Sequence, residues 1–260
     1  MPTRRIQDSQ SIHAPDGGAV EMIDSITIPA VTNAPFQGTV TLKWTRHLAD
    51  GSTLIVGNHR LVIRDSQGDI YQERRTMVPD GSTQEPQVRW IEISNPAKHT
   101  KYFCNAALTQ CTVRNYYAVA HPVPATNAPD NRAANKQGTA GVLSPANPAS
   151  NPNLVHTDLG TRSIEGLDAV GTRESITIPP GAMGNSAPLE RSKEFWYSPQ
   201  LGLNLRVLRV DPLHGEQSFQ VTDLMLQEPD PQRFVLPPNC KVIDLRRNSA
   251  SQTSKPASEE

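Results

Sequence analysis

EFWYSPQLGLNL (Glu194–Leu205) puts three aromatic rings in succession directly ahead of a turn, in a chain where only 5% of residues are aromatic. Extended backbone sends successive side chains to opposite faces of a sheet, so Phe195 and Tyr197 belong on one face and Trp196 on the other. The flanks decide which face is buried. If SPQLG (198–202) and DPLHG (211–215) are both hairpin loops, Tyr197 lies opposite Leu203, Phe195 opposite Leu205, Val207 opposite Phe219 and Leu205 opposite Val221. Three strands then agree on one apolar face. At about 1.5–3 kcal/mol per large side chain buried, that face contributes over ~10 kcal/mol before conformational entropy is subtracted. The opposite face carries Glu194, Asn204, Arg206, Gln220 and Thr222, with Glu194 across from Arg206. Trp196 is the one ring on that polar side, there to be covered by another segment or to meet a ligand or partner.

The amino-terminal half reads the same way. Asp50-Gly51 is a two-residue hairpin signal. Pairing outward from it sets Leu42 opposite His59, Trp44 opposite Gly57 and Arg46 opposite Ile55, so that Val40, Leu42, Trp44, Ile55 and Leu61 share a buried face. Thr41, Lys43, Thr45, Asn58 and Arg60 take the wet one. His59 falls on the apolar side as a satisfied core or rim residue. A second hairpin turns at 65–68, QERRTM (72–77) reads as a strand with charges on its wet face, and VRWIEIS (88–94) follows.

Two β blocks emerge, 26–117 and 158–245. Between them, 118–157 is rich in Ala, Pro and Asn without strand or helix periodicity, as expected of a disordered linker; 1–25 reads as a flexible polar arm and 246–260 as a disordered tail. DSITIPA (24–30) and ESITIPP (174–180) match closely over seven residues, a hint of duplication that no sustained register extends.

The 25 Lys and Arg against 26 Asp and Glu leave a formal charge of -1, so no global field favours nucleic acid. No apolar run approaches the ~20 residues of a membrane-spanning helix. The start, MPTRRIQ, has an Arg pair with no apolar segment behind it, the pattern of a polar arm rather than a signal.

Three cysteines occur. Cys104 and Cys111 flank a short polar loop, either as two ordinary strand residues or as a disulfide across a hairpin; closing that loop contributes about 2.5 kcal/mol on the chain-entropy model, and such bonds persist in exported proteins. A zinc site lacks a second ligand pair. Cys240 is the odd one out, read as a buried free thiol. GxSxG, Walker lysine, GxGxxG, HExxH and EF-hand patterns are absent from the sequence. A hydrolase built on His59 or Cys240 is the weakest of three functional readings. Asp230 in QEPDPQRF caps a short helix with Pro231 at its first position.

KEFWYSPQLGLNLRVLRVDPLHGEQSFQVTDLMLQEPDPQRFVLPPNCKVIDL (193–245) resembles the carboxy-terminal part of LolA-like and LppX-like exported bacterial proteins. With GTRSIEGLDAVGTRESITIPPGAMGN and YQERRTMVP, most of 30–245 resembles a group of uncharacterised exported bacterial proteins. The resemblance implies a mainly β fold: a large, curved antiparallel sheet of the LolA-like half-barrel type, with few short helices and a long disordered insertion. It further implies a non-enzymatic envelope protein, periplasmic or secreted, with cytoplasmic as the alternative. Its concave face would bind a lipid, an acyl chain or a lipoprotein, or another envelope protein, with no cofactor. The residues expected to line that face are Leu42, Trp44, Phe195, Trp196, Tyr197, Leu205, Val207, Phe219 and Val221. The alternative is a structural or regulatory interaction module with a packed core.

Overall fold

The computed structural model describes residues 26–117 and 153–246. The expected arm (1–25), the insertion over 118–152 and the tail after 246 lie outside the described residues.

Among the described residues thirteen strands form one open sheet: β1 (Phe36–His47), β2 (Thr53–Arg64), β3 (Ile70–Arg75), β4 (Val78–Pro79), β5 (Val88–Asn95), β6 (Thr100–Asn105), β7 (Gln110–Asn115), β8 (Leu154–Ile164), β9 (Leu167–Ile178), β10 (Leu189–Ser198), β11 (Leu203–Asp211), β12 (Gly215–Met225) and β13 (Lys241–Asp244). Their order is β13-β7-β6-β5-β3-β2-β1-β12-β11-β10-β9-β8, with β4 beside β2. Both sequence blocks therefore belong to a single sheet, joined where β1 pairs with β12. Pairing is antiparallel except at one end, where β13 runs parallel to β7, so the sheet is mixed rather than wholly antiparallel. β8 begins at Leu154, inside the stretch expected to be linker. A 3-10 turn, Pro231–Phe234, is capped by Asp230 Oδ1 accepting from Gln232 N at 2.9 Å, as its sequence foretells.

Two registers differ from expectation. His47 pairs with Thr53, so the first hairpin turns through residues 48–52 rather than through Asp50-Gly51 alone. Asp50 Oδ1 accepts from Ser52 N and Gly51 N donates to Leu48 O, which stabilises the longer loop. Every partner shifts by one: Leu42 faces Asn58, Trp44 faces Val56, Arg46 faces Leu54 and Gly57 faces Lys43. Because side chains alternate with period two, Arg60 and Val62 join Val40 and Leu42, while Ile55, His59 and Leu61 move to the other face. In the second block a bulge after Trp196 sets Tyr197 opposite Asn204, Phe195 opposite Val207 and Glu194 opposite Leu208; Val207 faces Phe219 as expected.

Each face has its own core. On the first, Phe36, Val40, Leu42, Phe219, Val221, Leu205 and Val207 pack with Ile26, Ile28, Leu201 and Leu203. On the second, Ile63, Tyr71, Ile91, Ile93 and the Cys104–Cys111 disulfide are covered by Phe234 and Leu236 of the segment after β12. Arg64, fully buried, ties the first together: its guanidinium donates to Ala34 O (3.0 and 2.8 Å), Pro29 O (2.9 Å) and Leu201 O (2.7 Å), and stacks 4.9 Å from the Phe36 ring. Burial, its largest influence, lowers its pKa to about 10, which still leaves it charged at neutral pH. Arg64→Met should lower stability by about 3 kcal/mol or more, since each buried acceptor left unmet costs ~1–3 kcal/mol. Arg64→Lys should recover less than half of that, because an ammonium cannot match the planar fork. Urea unfolding midpoints measure both, and a loss under ~1 kcal/mol in the Met variant would refute the assignment.

Candidate functional site

The residues expected to line a ligand face come together, but as core. Leu42, Phe219, Val207 and Phe195 form one row across β1, β12, β11 and β10, with Val40 and Val221 paired beside it. Phe219, Val221 and Leu205 have no solvent exposure, and Val207 has 3%. Residues 26–28 and the turn at 198–202 pack against them, so these side chains fill a core instead of facing a chamber. Trp44 is buried too, its Nε1 donating to His214 O at 2.7 Å.

Of the two roles expected for Trp196 on the polar side, cover by another segment or contact with a ligand, the structure shows cover: it is 7% exposed. Arg162 of β8 stacks 3.7 Å above its centroid, its Nε1 donates to Glu194 Oε1 at 2.7 Å, and Gly171 on β9 leaves room for the indole, which a Cβ there would strike. Phe195 and Tyr197 are the half-buried pair instead. His59 lies on the second face, half exposed, with Nε2 2.8 Å from Glu85 Oε1 rather than in an apolar setting.

An open concavity lies on the first face, over β2, β3, β5 and β6. It is a cleft of about 950 Å³, lined on one side by Ile26 and Ile28 and elsewhere by Trp90, Tyr116 and Tyr117. Leu42 is the one expected residue that reaches it. Its wall is cationic: Arg60, Arg74, Arg75, Arg89, Lys101 and Arg209 line it, against the single carboxylate of Glu92. Strand alternation puts most of them there. Val62 pairs with Gln72, Gln72 with Glu92, Arg74 with Trp90 and Ser94 with Lys101, so these polar side chains share a face while Ile63, Tyr71, Ile91 and Ile93 share the other.

Glu92 is the hub. Its carboxylate accepts from Arg74 Nε (2.8 Å), Gln72 Nε2 (2.8 Å) and Trp90 Nε1 (3.1 Å), and pairs with Lys101 Nζ at 2.8 Å. Burial alone pushes such an acid up; the Arg74 and Lys101 contacts outweigh it and leave the pKa at about 2. Arg60 donates to Gln72 Oε1 (3.0 Å) and Ile26 O (3.3 Å), and burial, helped by Arg74, lowers its pKa to about 9. Arg75 pairs with Glu73 and Glu85. Among the described residues no cluster of His, Cys, Asp or Glu could hold a metal ion.

No protein-family model and no curated protein matches the chain. Solved structures similar to it include a chain of the MucA/MucB complex of Pseudomonas aeruginosa (14% identity, 81% of this chain, 58% of that one, TM-score 0.40). The lipoprotein LppX of Mycobacterium tuberculosis is another (12% identity, 75% and 88%, TM-score 0.26), and so is a LolA superfamily protein from Nitrosomonas europaea (12%, 78% and 90%, TM-score 0.26). The chain thus spans less than two thirds of the first of these.

Glu92 predicts an acid dependence. Its folded pKa lies below the unfolded value of 4.5, so its stabilisation is complete above that value and is lost as pH falls toward about 2, a change of about 3 kcal/mol. Unfolding free energies at pH 5, 3.5 and 2 should fall less steeply in Glu92→Gln than in the unmodified protein; parallel curves would show that the pairing contributes nothing.

Proposed function

We propose that the protein is a non-enzymatic binding protein of an export compartment whose cleft holds an anionic amphiphile, a lipid or acyl chain carrying a carboxylate or phosphate. The carrying observation is the concavity of about 950 Å³ in which six cationic side chains on the strands accompany apolar Ile26, Ile28, Leu42, Ile70 and Met77. Pockets of this size take single small ligands, and apolar walls with a few placed charges fix both burial and orientation. Trp90, 37% exposed with Arg89 5.3 Å over its ring, offers an amphipathic lip. The buried Cys104–Cys111 disulfide supports an oxidising compartment.

A second reading, a protein-interaction module, draws support from β8, eleven residues long and, among the described residues, the last strand at one end of the sheet. Such an edge can accept a partner strand. Trp196 does not serve that reading, because Arg162 covers it.

An environment-sensitive fluorescent fatty acid tests the first. It should bind saturably, Arg89→Glu should weaken it roughly five- to tenfold, about 1–1.4 kcal/mol, and the matching fatty alcohol should bind more weakly. Trp196→Ala should lower the melting temperature while leaving affinity unchanged. Absence of saturable uptake, or equal binding of the alcohol, would sink the proposal.

A further inference from the structure

Three sulfurs meet where β7 adjoins β13. Cys104 on β6 and Cys111 on β7 are directly opposed across the hairpin, joined, and each only 1% exposed. Cys240, one residue ahead of β13, puts its Sγ 3.0 Å from Cys111 Sγ. Two backbone bonds hold it there: Cys240 N donates to Pro237 O at 3.0 Å, and Lys241 N donates to Thr109 O at 2.9 Å. In the parallel ladder that follows, Val242 pairs with Cys111 itself. Cys240 is partly exposed, so of the three it is the sulfur that solvent reaches.

We propose that these cysteines form one thiol–disulfide exchange unit, in which Cys240 displaces Cys104 from Cys111 and moves the cross-link from the β6–β7 hairpin to the junction of β7 with the carboxy-terminal strap. The Cys240 thiol loses its proton and its sulfur bonds to Cys111 Sγ; the Cys104–Cys111 bond breaks, and Cys104 leaves as a thiolate that takes up a proton. One disulfide and one thiol are present before and after, so no oxidant is consumed. The two pairings differ in what they constrain. Cys104–Cys111 closes a separation of 7 residues, whereas Cys111–Cys240 closes one of 129. Once formed, the longer loop removes more entropy from the unfolded chain and so stabilises the fold more, whereas the shorter loop costs less entropy to close during folding. The shifted bond would fasten the strap whose Phe234 and Leu236 cover the second core. External thiols and disulfides enter the unit through Cys240.

The test is peptide mapping by mass spectrometry of the full chain. Protein is held at pH 8 with a trace of dithiothreitol, quenched in acid, alkylated and digested with chymotrypsin. Both the 104–111 and the 111–240 linked peptides should appear, with Cys104 alkylated in proportion to the second. Cys104→Ser, refolded at pH 8 with oxidised glutathione as the oxidant, should form the 111–240 bond nearly completely, and Cys240→Ser treated the same way should show the hairpin bond alone. Exclusive 104–111 pairing in the unmodified protein, with Cys240 fully alkylated at every time, overturns the proposal. That outcome does not depend on any variant folding.

Discussion

The buried guanidinium of Arg64 is the joint on which the arrangement depends. A cation taken out of water is tolerated when its donors are met, and here backbone carbonyls from two distant chain segments meet them. Those segments are residues 29–34 ahead of β1 and the turn between β10 and β11, neither of them adjacent in sequence to the end of β2. Positive-φ Gly68 and Gly202 let the chain pass close to Ala30 and Val31, and Asn33 N donates to Ser66 O at 2.8 Å. With this strap fixed, Ile26 and Ile28 pack on the apolar row and at the same time form one wall of the cleft. Core closure and site shape are therefore one event.

The mainly β character was legible, as were the Val207–Phe219 pairing, the cysteine hairpin and the Asp230 cap, because each follows from local chemistry. What was not legible came from loop length and from distant packing. One residue of difference in the turn after His47 exchanges the faces of β2, so Arg60 appeared wet and Leu61 buried when the reverse alternation holds. Trp196, on the polar alternation, was expected to be covered by another segment or to meet a ligand, but the segment that covers it, β8 with Arg162, begins in residues that read as linker. The two matched seven-residue stretches also part company: the first is irregular over residues 26–30, and the second supplies the last five residues of β9. Sequence likeness did not survive as structural likeness.

The cleft was missed for a related reason. In β3 and β5, Tyr71, Ile91 and Ile93 face the second core, where the segment after β12 crosses the sheet to cover them. Their alternates, Gln72, Arg74, Trp90, Glu92 and Ser94, then have to occupy the first face, beside the strap at Ile26 and Ile28. The sequence carries this only as a period of two. Nothing in such an alternation says which side a distant segment will cover, and with apolar residues at every second position the polar set reads as an ordinary solvated face.

Net charge carried no trace of the site either, since a chain at -1 overall still lines the cleft with six cations and one carboxylate, Arg75 being paired besides with Glu73 and Glu85. That surplus persists at neutral pH. Arg60, buried in the cleft wall, has its pKa lowered only to about 9, so it keeps its proton, and Glu92 at about 2 stays ionised and holds Arg74 and Lys101 in fixed positions. Glu92 thus offsets part of the positive field and orients the rest: the network orders the cation wall without cancelling it. An anion entering the cleft would meet side chains already held in place, which reduces the ordering cost that weakens most surface ion pairs.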